Sequence, residues 1–234
     1  MTALGFLHPG HSAEDDYQRI EQLLGTDIRL DLEKSSADRL TAGVEALRLS
    51  GAEAVVWAST SSSFGYGWEG AHDQVRTLAL AAGLPASSTS FAFVHAVREL
   101  GVRRVAIGAT YPADVAERFA EFLRAAGIEV TGVHAAGVAT RAEVGEWGPQ
   151  EVTSLAEKAS ATPAEALLLP DTALHTASHI TTLEKHLEKP VLTANQVSVW
   201  EALRLTTRKV NAPSLGTLFT RKSVVQATSS PSGV

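Results

Sequence analysis

Short apolar runs recur along the chain, and longer amphipathic stretches separate them. This alternation is typical of strands followed by crossover helices in a parallel sheet, and it predicts an α/β protein. Eight of the apolar runs are predicted strands, at residues 3–7, 28–32, 54–58, 86–88, 104–109, 129–134, 166–169 and 191–193.

The two halves of the chain resemble each other. Residues 52–60 (AEAVVWAST) align with residues 164–172 (AEALLLPDT). A repeat of about 100 residues is too long for a solenoid and fits two similar domains. We therefore predict a first domain over residues 1–98 that is completed by residues 207–226, a second domain over residues 99–206, and a frayed tail over residues 227–234. Two facing parallel sheets would bring their strand ends to a shared cleft, where α/β proteins bind ligands.

Charge and hydropathy limit the partners. The 234 residues carry a formal net charge of −6, and no strongly basic run occurs among them. Nucleic acid and anionic membranes are therefore not expected as partners. No apolar stretch approaches the roughly 20 residues that span a bilayer, and residues 1–17 lack the regions of a signal peptide. We expect a cytoplasmic protein.

The chain contains no cysteine. Disulfides, thiolate metal ligands and cysteine nucleophiles are thereby excluded together. Residues 132–137 do not form a G-x-G-x-x-G dinucleotide fingerprint, and residues 59–63 form neither a P-loop nor a G-x-S-x-G elbow. We expect no cofactor.

Hydroxyl groups cluster after two predicted strands. Residues 59–63 are Ser-Thr-Ser-Ser-Ser, so hydroxyl and backbone N–H groups from Ser59 to Ser63 converge in a pattern typical of anion binding. The alternative is a serine-rich turn that bonds to its own backbone. Tyr111 follows the strand at residues 104–109, and its phenol can donate a hydrogen bond to a carboxylate or enolate oxygen. Simple packing is the alternative for this tyrosine.

Acidic and imidazole groups occur at other predicted strand ends. Asp171, His175 and His179 are spaced four residues apart, but no further ligand set accompanies them, so we predict no metal site. An N-cap aspartate with two partly exposed histidines is the simpler interpretation. His8 and His11 lie in the first loop and would titrate near neutral pH if they faced a ligand; histidines without a catalytic role are the alternative.

Three segments carry a family resemblance: residues 59–64 (STSSSF), residues 100–118 and residues 167–174 (LLLPDTAL). They resemble the aspartate/glutamate racemase superfamily, and within it the branch of arylmalonate decarboxylases and maleate cis-trans isomerases. The resemblance covers almost the whole chain. It implies two flavodoxin-like α/β domains related by pseudo-twofold symmetry, a site in the cleft between them and no cofactor.

The resemblance also implies roles for individual residues. Thr60, Ser61 and Tyr111, with backbone N–H near Thr172, would hold a substrate carboxylate through hydrogen bonds and stabilise an enediolate. We call this group of donors the cradle. Members of the family move protons with one or two cysteines.

The chain departs from the family where members carry cysteine, because Ser59 and Asp171 stand at those positions. Serine is a much weaker acid and nucleophile than cysteine unless a base activates it, which disfavours thiolate-type isomerisation and two-thiol racemisation. Aspartic acid can still give or take a proton, so Asp171 is the expected donor, with His8, His11 or His175 as substitutes.

Arg141 lies in a loop region that helps to form a small apolar pocket in the family's decarboxylases. If it faced the cleft, it would favour a dicarboxylate substrate; a solvated arginine paired with Glu143 is the alternative. His8, His11, Ser59, Ser63, Arg141, Thr172 and His175 are the predicted substrate-binding residues, and Asp171, Tyr111, Thr60 and Ser61 the predicted catalytic ones.

Three functions remain open. The first is a lyase that decarboxylates a malonate-like or related dicarboxylic acid through an enediolate. The second is an isomerase or racemase that uses Asp171 and a histidine as its acid and base, and the third is a catalytically silent carboxylate-binding protein. In each case the expected partner is a small carboxylate, and a homo-oligomer is left open.

Overall fold

The computed structural model describes residues 1–10, 12–25, 27–35, 40–138 and 140–220. Strands and helices alternate along this part of the chain. The strands are β1 (Thr2–His8), β2 (Ile28–Lys34), β3 (Ala52–Trp57), β4 (Ala86–Ser88), β5 (Arg104–Ala109), β6 (Glu129–Ala135), β7 (Ala166–Leu169) and β8 (Val191–Thr193). All eight predicted strands are present, and β4, β5, β7 and β8 have the predicted bounds.

The helices fall mainly between the strands. They are α1 (Glu14–Leu24), α2 (Leu40–Leu49), α3 (Ser61–Phe64), α4 (Gly67–Ala82), α5 (Thr89–Leu100), α6 (Ala113–Ala125), α7 (Arg141–Gly145), α8 (Pro149–Ala159), α9 (Ile180–Leu187) and α10 (Ala194–Leu205). Two short 3₁₀ helices, Pro213–Leu215 and Thr217–Phe219, follow α10. In the described residues, no helix has the length and apolar character that crossing a bilayer requires.

The strands form two four-stranded parallel sheets with the same order, β2-β1-β3-β4 and β6-β5-β7-β8. In the first sheet Phe6 lies between Leu32 and Val56, and in the second Ile107 lies between Val133 and Leu168. The second half therefore repeats the first. The predicted α/β fold with two similar domains is confirmed.

The central strands are buried because helices cover both faces of each sheet. Every residue of β1 and β7 is buried, which explains why these strands read as continuous apolar runs rather than as alternating patterns. On one face of the first sheet, Leu7, Val55 and Trp57 pack with side chains of α2 and α4. On one face of the second sheet, Leu167 and Leu169 pack with side chains of α8 and α9.

Helix α10 joins the two halves. It follows β8 of the second sheet in the chain, but it packs against β1, β3 and β4 of the first sheet and against α5. The 3₁₀ helices beyond it contact α1, α9 and α5. The predicted domain bounds stay a prediction; residues 221–226 and the tail at residues 227–234 lie outside the described residues.

Candidate active site

The loops after β3 and β7 meet at the carbonyl oxygen of Pro170. The hydroxyl of Thr60 donates a hydrogen bond to this oxygen at 2.6 Å, and the phenol of Tyr111 donates to it at 2.9 Å. Thr60 is 1% exposed and Tyr111 is 9% exposed. One hydroxyl from each half of the molecule therefore donates a hydrogen bond to the same oxygen, and both side chains are almost completely shielded from solvent.

Local contacts fix both donors in place. The carbonyl of Thr60 accepts hydrogen bonds from the backbone N–H groups of Ser63 and Phe64 at 3.0 and 3.1 Å and from the Ser90 hydroxyl at 2.9 Å. The Phe64 ring packs on the ring of Tyr111, with centroids 6.1 Å apart. Because their backbones and rings are constrained on several sides, the two hydroxyls are preorganised.

Asp171 lies directly after Pro170 and is 3% exposed. One carboxylate oxygen accepts a hydrogen bond from the Thr110 hydroxyl, and the other accepts one from the backbone N–H of Ala173 at 2.9 Å. Thr172, the next residue, is also buried, and its carbonyl accepts the backbone N–H of Ala13 at 2.9 Å. The structure thus brings Asp171 and Thr172 beside Thr60 and Tyr111 along one loop.

Asp16 of α1 binds this loop from the first half. Its carboxylate accepts the backbone N–H groups of Thr176 and Ala177 at 2.9–3.0 Å, and the side chain of Asn195 at 3.1 Å. Burial raises the pKa of Asp16, although these hydrogen bonds lower it in part. The position of the loop that carries Asp171 therefore depends on a buried carboxylate from the other half.

Two of the predicted histidines contact acidic side chains of α1. His8 is buried, burial lowers the pKa of its imidazole, and the Nε2 atom lies 3.6 Å from a carboxylate oxygen of Glu14. His175 is partly exposed and pairs with Asp15 of α1 at 2.9 Å. His11 lies outside the described residues. Binding of substrate by these histidines stays a prediction.

The serine loop is partly a structural turn. Ser59 donates to the Ser62 hydroxyl at 2.8 Å, and the buried hydroxyl of Ser63 donates to Ser88 at 3.0 Å. Both bonds join hydroxyl groups, whereas the alternative stated above expected side chains bonded to the backbone of their own turn. The Thr60 hydroxyl of the same loop donates to the Pro170 carbonyl. Ser61 is half-buried at the start of α3. Arg141 begins α7, but its side chain lies outside what the structure describes.

A G-x-G-x-x-G pattern is present at residues 65–70 (GYGWEG). It begins directly after α3 and extends into the first turn of α4, and it does not directly follow a strand. The dinucleotide fingerprint requires a strand, a tight turn and a helix in that order, so this match lacks the required context.

Sequence reasoning missed several residues of the site. Thr110 lies in a loop that the sequence placed at a strand end, but nothing in the sequence indicated that its hydroxyl would donate a hydrogen bond to Asp171. The carbonyl of Pro170 has no sequence signal, because every residue carries one. Asp16 reads as one of several acids in the first turn of a helix, and its partner Thr176 is 160 residues away.

The fold and the site define a class of protein: a two-domain α/β protein whose strand-end loops hold neutral hydroxyl donors between its halves. The chain matches the family model of arylmalonate decarboxylase over residues 29–219 and belongs to that family. The expected place in the arylmalonate decarboxylase and maleate isomerase branch is confirmed.

Individual relatives agree with this assignment. An arylmalonate decarboxylase of Bordetella bronchiseptica is 33% identical over 178 residues, which cover 74% of this chain and 73% of that protein. A maleate isomerase of Geobacillus stearothermophilus is 26% identical over 139 residues, 59% of this chain and 55% of that protein. A solved arylmalonate decarboxylase with a glycine-to-cysteine substitution, in a sulfate-associated form, has a TM-score of 0.80 at 27% identity and covers 94% of this chain and 100% of its own. These similarities support an enzyme.

Proposed function

We propose that the protein is a cofactor-independent lyase that decarboxylates a small malonate-like dicarboxylic acid through an enediolate. The observation that carries the proposal is the convergence of the Thr60 and Tyr111 hydroxyls on one oxygen. An oxyanion site needs this arrangement, with neutral donors 2.6–2.9 Å from a single acceptor in a buried environment. Membership of the arylmalonate decarboxylase family supports the same reaction class.

In this mechanism a substrate carboxylate takes the place of the Pro170 carbonyl on the two hydroxyls. That carbonyl and the N–H of Asp171 belong to one peptide unit, so a rotation that withdraws the carbonyl turns the N–H towards the substrate as a third donor. The bond between C2 and the second carboxylate then breaks, and CO₂ leaves. Its electron pair remains on C2 and the bound carboxylate as an enediolate, which the donors stabilise.

The enediolate must then gain one proton at C2. Asp171 is the proposed donor, because it adjoins the cradle and is shielded from solvent. Its carboxylate accepts hydrogen bonds from Thr110 and Ala173. Those two bonds orient the side chain, and a proton taken from solvent restores it after each turnover.

One comparison favours a second candidate. Similarity to a maleate isomerase fits an isomerase that moves a proton between Asp171 and a histidine. Of the described candidates His8 is buried, and burial lowers the pKa of its imidazole, which favours the neutral form. The two functions differ in whether CO₂ is released.

The test is incubation of the protein with substituted malonates, maleate and amino acids in D₂O, followed by NMR and CO₂ measurement. A lyase releases CO₂ and incorporates one deuterium at C2. Product without CO₂ would instead indicate an isomerase or racemase, and ligand-induced thermal stabilisation without any product would indicate binding alone.

Variants test the individual roles. Thr60→Ala and Tyr111→Phe should each lower kcat by about 10²–10³, because each removes one donor to the developing negative charge. Thr181→Ala, on the exposed side of α9, is the control and should retain full activity. Asp171→Asn should prevent protonation and leave substrate affinity nearly intact. If kcat is unchanged in both cradle variants, the mechanism is wrong.

A further inference from the structure

One peptide unit connects the first half of the molecule to the carboxylate of Asp171. The carbonyl of Thr172 accepts a hydrogen bond from the backbone N–H of Ala13, directly before α1, at 2.9 Å. The N–H of the same peptide unit belongs to Ala173 and donates to the Asp171 carboxylate at 2.9 Å. Because a peptide unit is planar, a contact that fixes its carbonyl also fixes its N–H. The orientation of Asp171 therefore depends on what binds the Thr172 carbonyl.

The side chain of Asn195 supplies a further donor to this carbonyl. Asn195 is the second residue of α10 and is 1% exposed. Its Nδ2 atom donates to the Thr172 carbonyl at 3.3 Å and to the carboxylate of Asp16 at 3.1 Å. Both partners are acceptors, so the amino end of the amide must face them. Asn195 thereby bridges the loop that carries Asp171 to a carboxylate of α1.

The other hydrogen bonds of Asp16 keep this bridge in place. Its carboxylate also accepts the backbone N–H groups of Thr176 and Ala177 at 2.9–3.0 Å and the Thr176 hydroxyl at 3.1 Å. Asp16 is 4% exposed, so water does not compete for these contacts. Hydrogen bonds to an ionised carboxylate are stronger than those between neutral groups. Asp16 therefore fixes the amide of Asn195, and that amide helps to fix the Thr172 carbonyl.

Stability alone does not account for an asparagine at position 195. Its Oδ1 atom is buried and has no hydrogen-bond partner among the described residues, which is unfavourable. Loss of its Nδ2 atom would leave neither partner unpaired, because the Thr172 carbonyl keeps the Ala13 N–H and Asp16 keeps two backbone N–H groups. The fold would therefore tolerate an apolar side chain here, and the role of the amide lies in the site.

We propose that Asn195 is a positioning residue: held by Asp16, it fixes the peptide unit between Thr172 and Ala173 so that Asp171 delivers its proton to one face of the enediolate. This inference rests on the proposed function, in which Asp171 protonates C2. The step forms one C–H bond at C2 and leaves Asp171 as a carboxylate, which takes its next proton from solvent. A donor fixed on one side of a planar enediolate protonates one face, so a malonate with two different C2 substituents gives one enantiomer in excess.

The test is Asn195→Ala, assayed with a malonate that carries a methyl and a phenyl group at C2. We expect kcat to fall about 10–100-fold, because the reacting groups are misplaced, and KM to stay within about twofold, because the cradle is intact. The enantiomeric excess of the product should fall towards zero. A purely structural defect would instead reduce the amount of active protein and leave the enantiomeric ratio unchanged.

A matched control and a double variant sharpen the test. Asn211→Ala, at an exposed position after α10, should keep the wild-type rate and enantiomeric ratio. Asp16→Asn should lower kcat and the enantiomeric excess as Asn195→Ala does. If Asp16 acts through Asn195, the double variant is no slower than the slower single variant. Losses that multiply in the double variant would overturn this connection.

Hydrogen exchange of the Ala173 amide provides a readout that needs no turnover. Asn195→Ala should speed exchange of this N–H about tenfold, measured by NMR, because the carbonyl of its peptide unit is less firmly held. Asn211→Ala should leave the exchange unchanged.

The outcomes separate the two proposals. If the wild type decarboxylates the malonate and Asn195→Ala keeps both its rate and its enantiomeric ratio, the positioning role is overturned and the lyase stands. If the wild type releases no CO₂, the lyase is overturned and exchange decides the rest. Faster exchange at Ala173 in Asn195→Ala then keeps Asn195 as the residue that fixes Asp171, and unchanged exchange overturns that role as well.

Discussion

Glu201 of α10 provides a quantitative test of how the two halves are joined. Its carboxylate is fully buried and accepts hydrogen bonds from the Arg204 guanidinium at 2.8 Å, while the Nδ1 atom of His95 in α5 lies 2.9 Å away. Burial alone would raise the pKa of Glu201, but the hydrogen bonds and the positive charge of its partners lower it to about 2 from an ordinary value of 4.5. The perturbation we choose is Glu201→Gln, which removes the titrating group and nearly keeps its shape.

The sign and size of the effect follow from proton linkage. Since the pKa is lower in the folded state, the unfolded chain binds the proton first as pH falls. The stabilisation is therefore present above pH 4.5 and is lost as pH falls towards 2. The full shift corresponds to about 3 kcal/mol, of which about 2 kcal/mol is lost by pH 3.

The assay is urea unfolding of both proteins at intervals between pH 7 and pH 3. Between these limits, the free energy of unfolding should fall by about 2 kcal/mol more in the wild-type protein than in Glu201→Gln. Glu121→Gln, at an exposed position of α6, is the control and should follow the wild type. Parallel curves for the wild type and Glu201→Gln would refute the reasoning.

Three further predictions concern other contacts. Asp16→Asn should lower the free energy of unfolding by about 1.5–3 kcal/mol in chemical denaturation, because an amide cannot accept all the hydrogen bonds of a carboxylate; a change below 0.5 kcal/mol would contradict this. His8→Leu should flatten the loss of stability below pH 6.5, since burial lowers the pKa of His8 and only the unfolded chain takes the proton there; an unaltered pH profile would exclude it. Gly43→Ala would place a Cβ 2.8 Å from Leu7 and should lower the free energy of unfolding by about 1–3 kcal/mol. Gly145→Ala is the control, because a Cβ there meets open space, and it should leave the thermal stability unchanged or raise it. Equal effects of the two substitutions would contradict the close contact between Gly43 and Leu7.

The sequence predicted the strands well for a physical reason. Parallel strands buried on both faces appear as continuous apolar runs, and proline or glycine often marks their ends. The bounds of β4, β5, β7 and β8 were therefore visible directly. The packing of α10 was not, because a helix buried on nearly all sides, from Ala194 to Leu203, shows no apolar stripe that identifies its partner.

The site was predictable in composition but not in geometry. Thr60 and Tyr111 were recognised as hydroxyl donors at strand ends, and the structure places both on one oxygen. That the oxygen belongs to Pro170 could not be foreseen, since backbone carbonyls carry no sequence signal. The contact of Asp16 with Thr176 was equally hidden, because the two residues are 160 positions apart and meet only after both halves have folded.

The position of α10 has a consequence for biosynthesis. Leu4, Phe6 and Val56 belong to the same core cluster as Val197 and Val199 of this helix. On the ribosome, the first half of the chain emerges well before α10, which covers one face of its sheet. The apolar side chains of that face therefore stay exposed to solvent while the rest of the chain is translated. A fragment ended by a stop codon before residue 194 should therefore aggregate or recruit chaperones, even though it contains every strand of the first sheet.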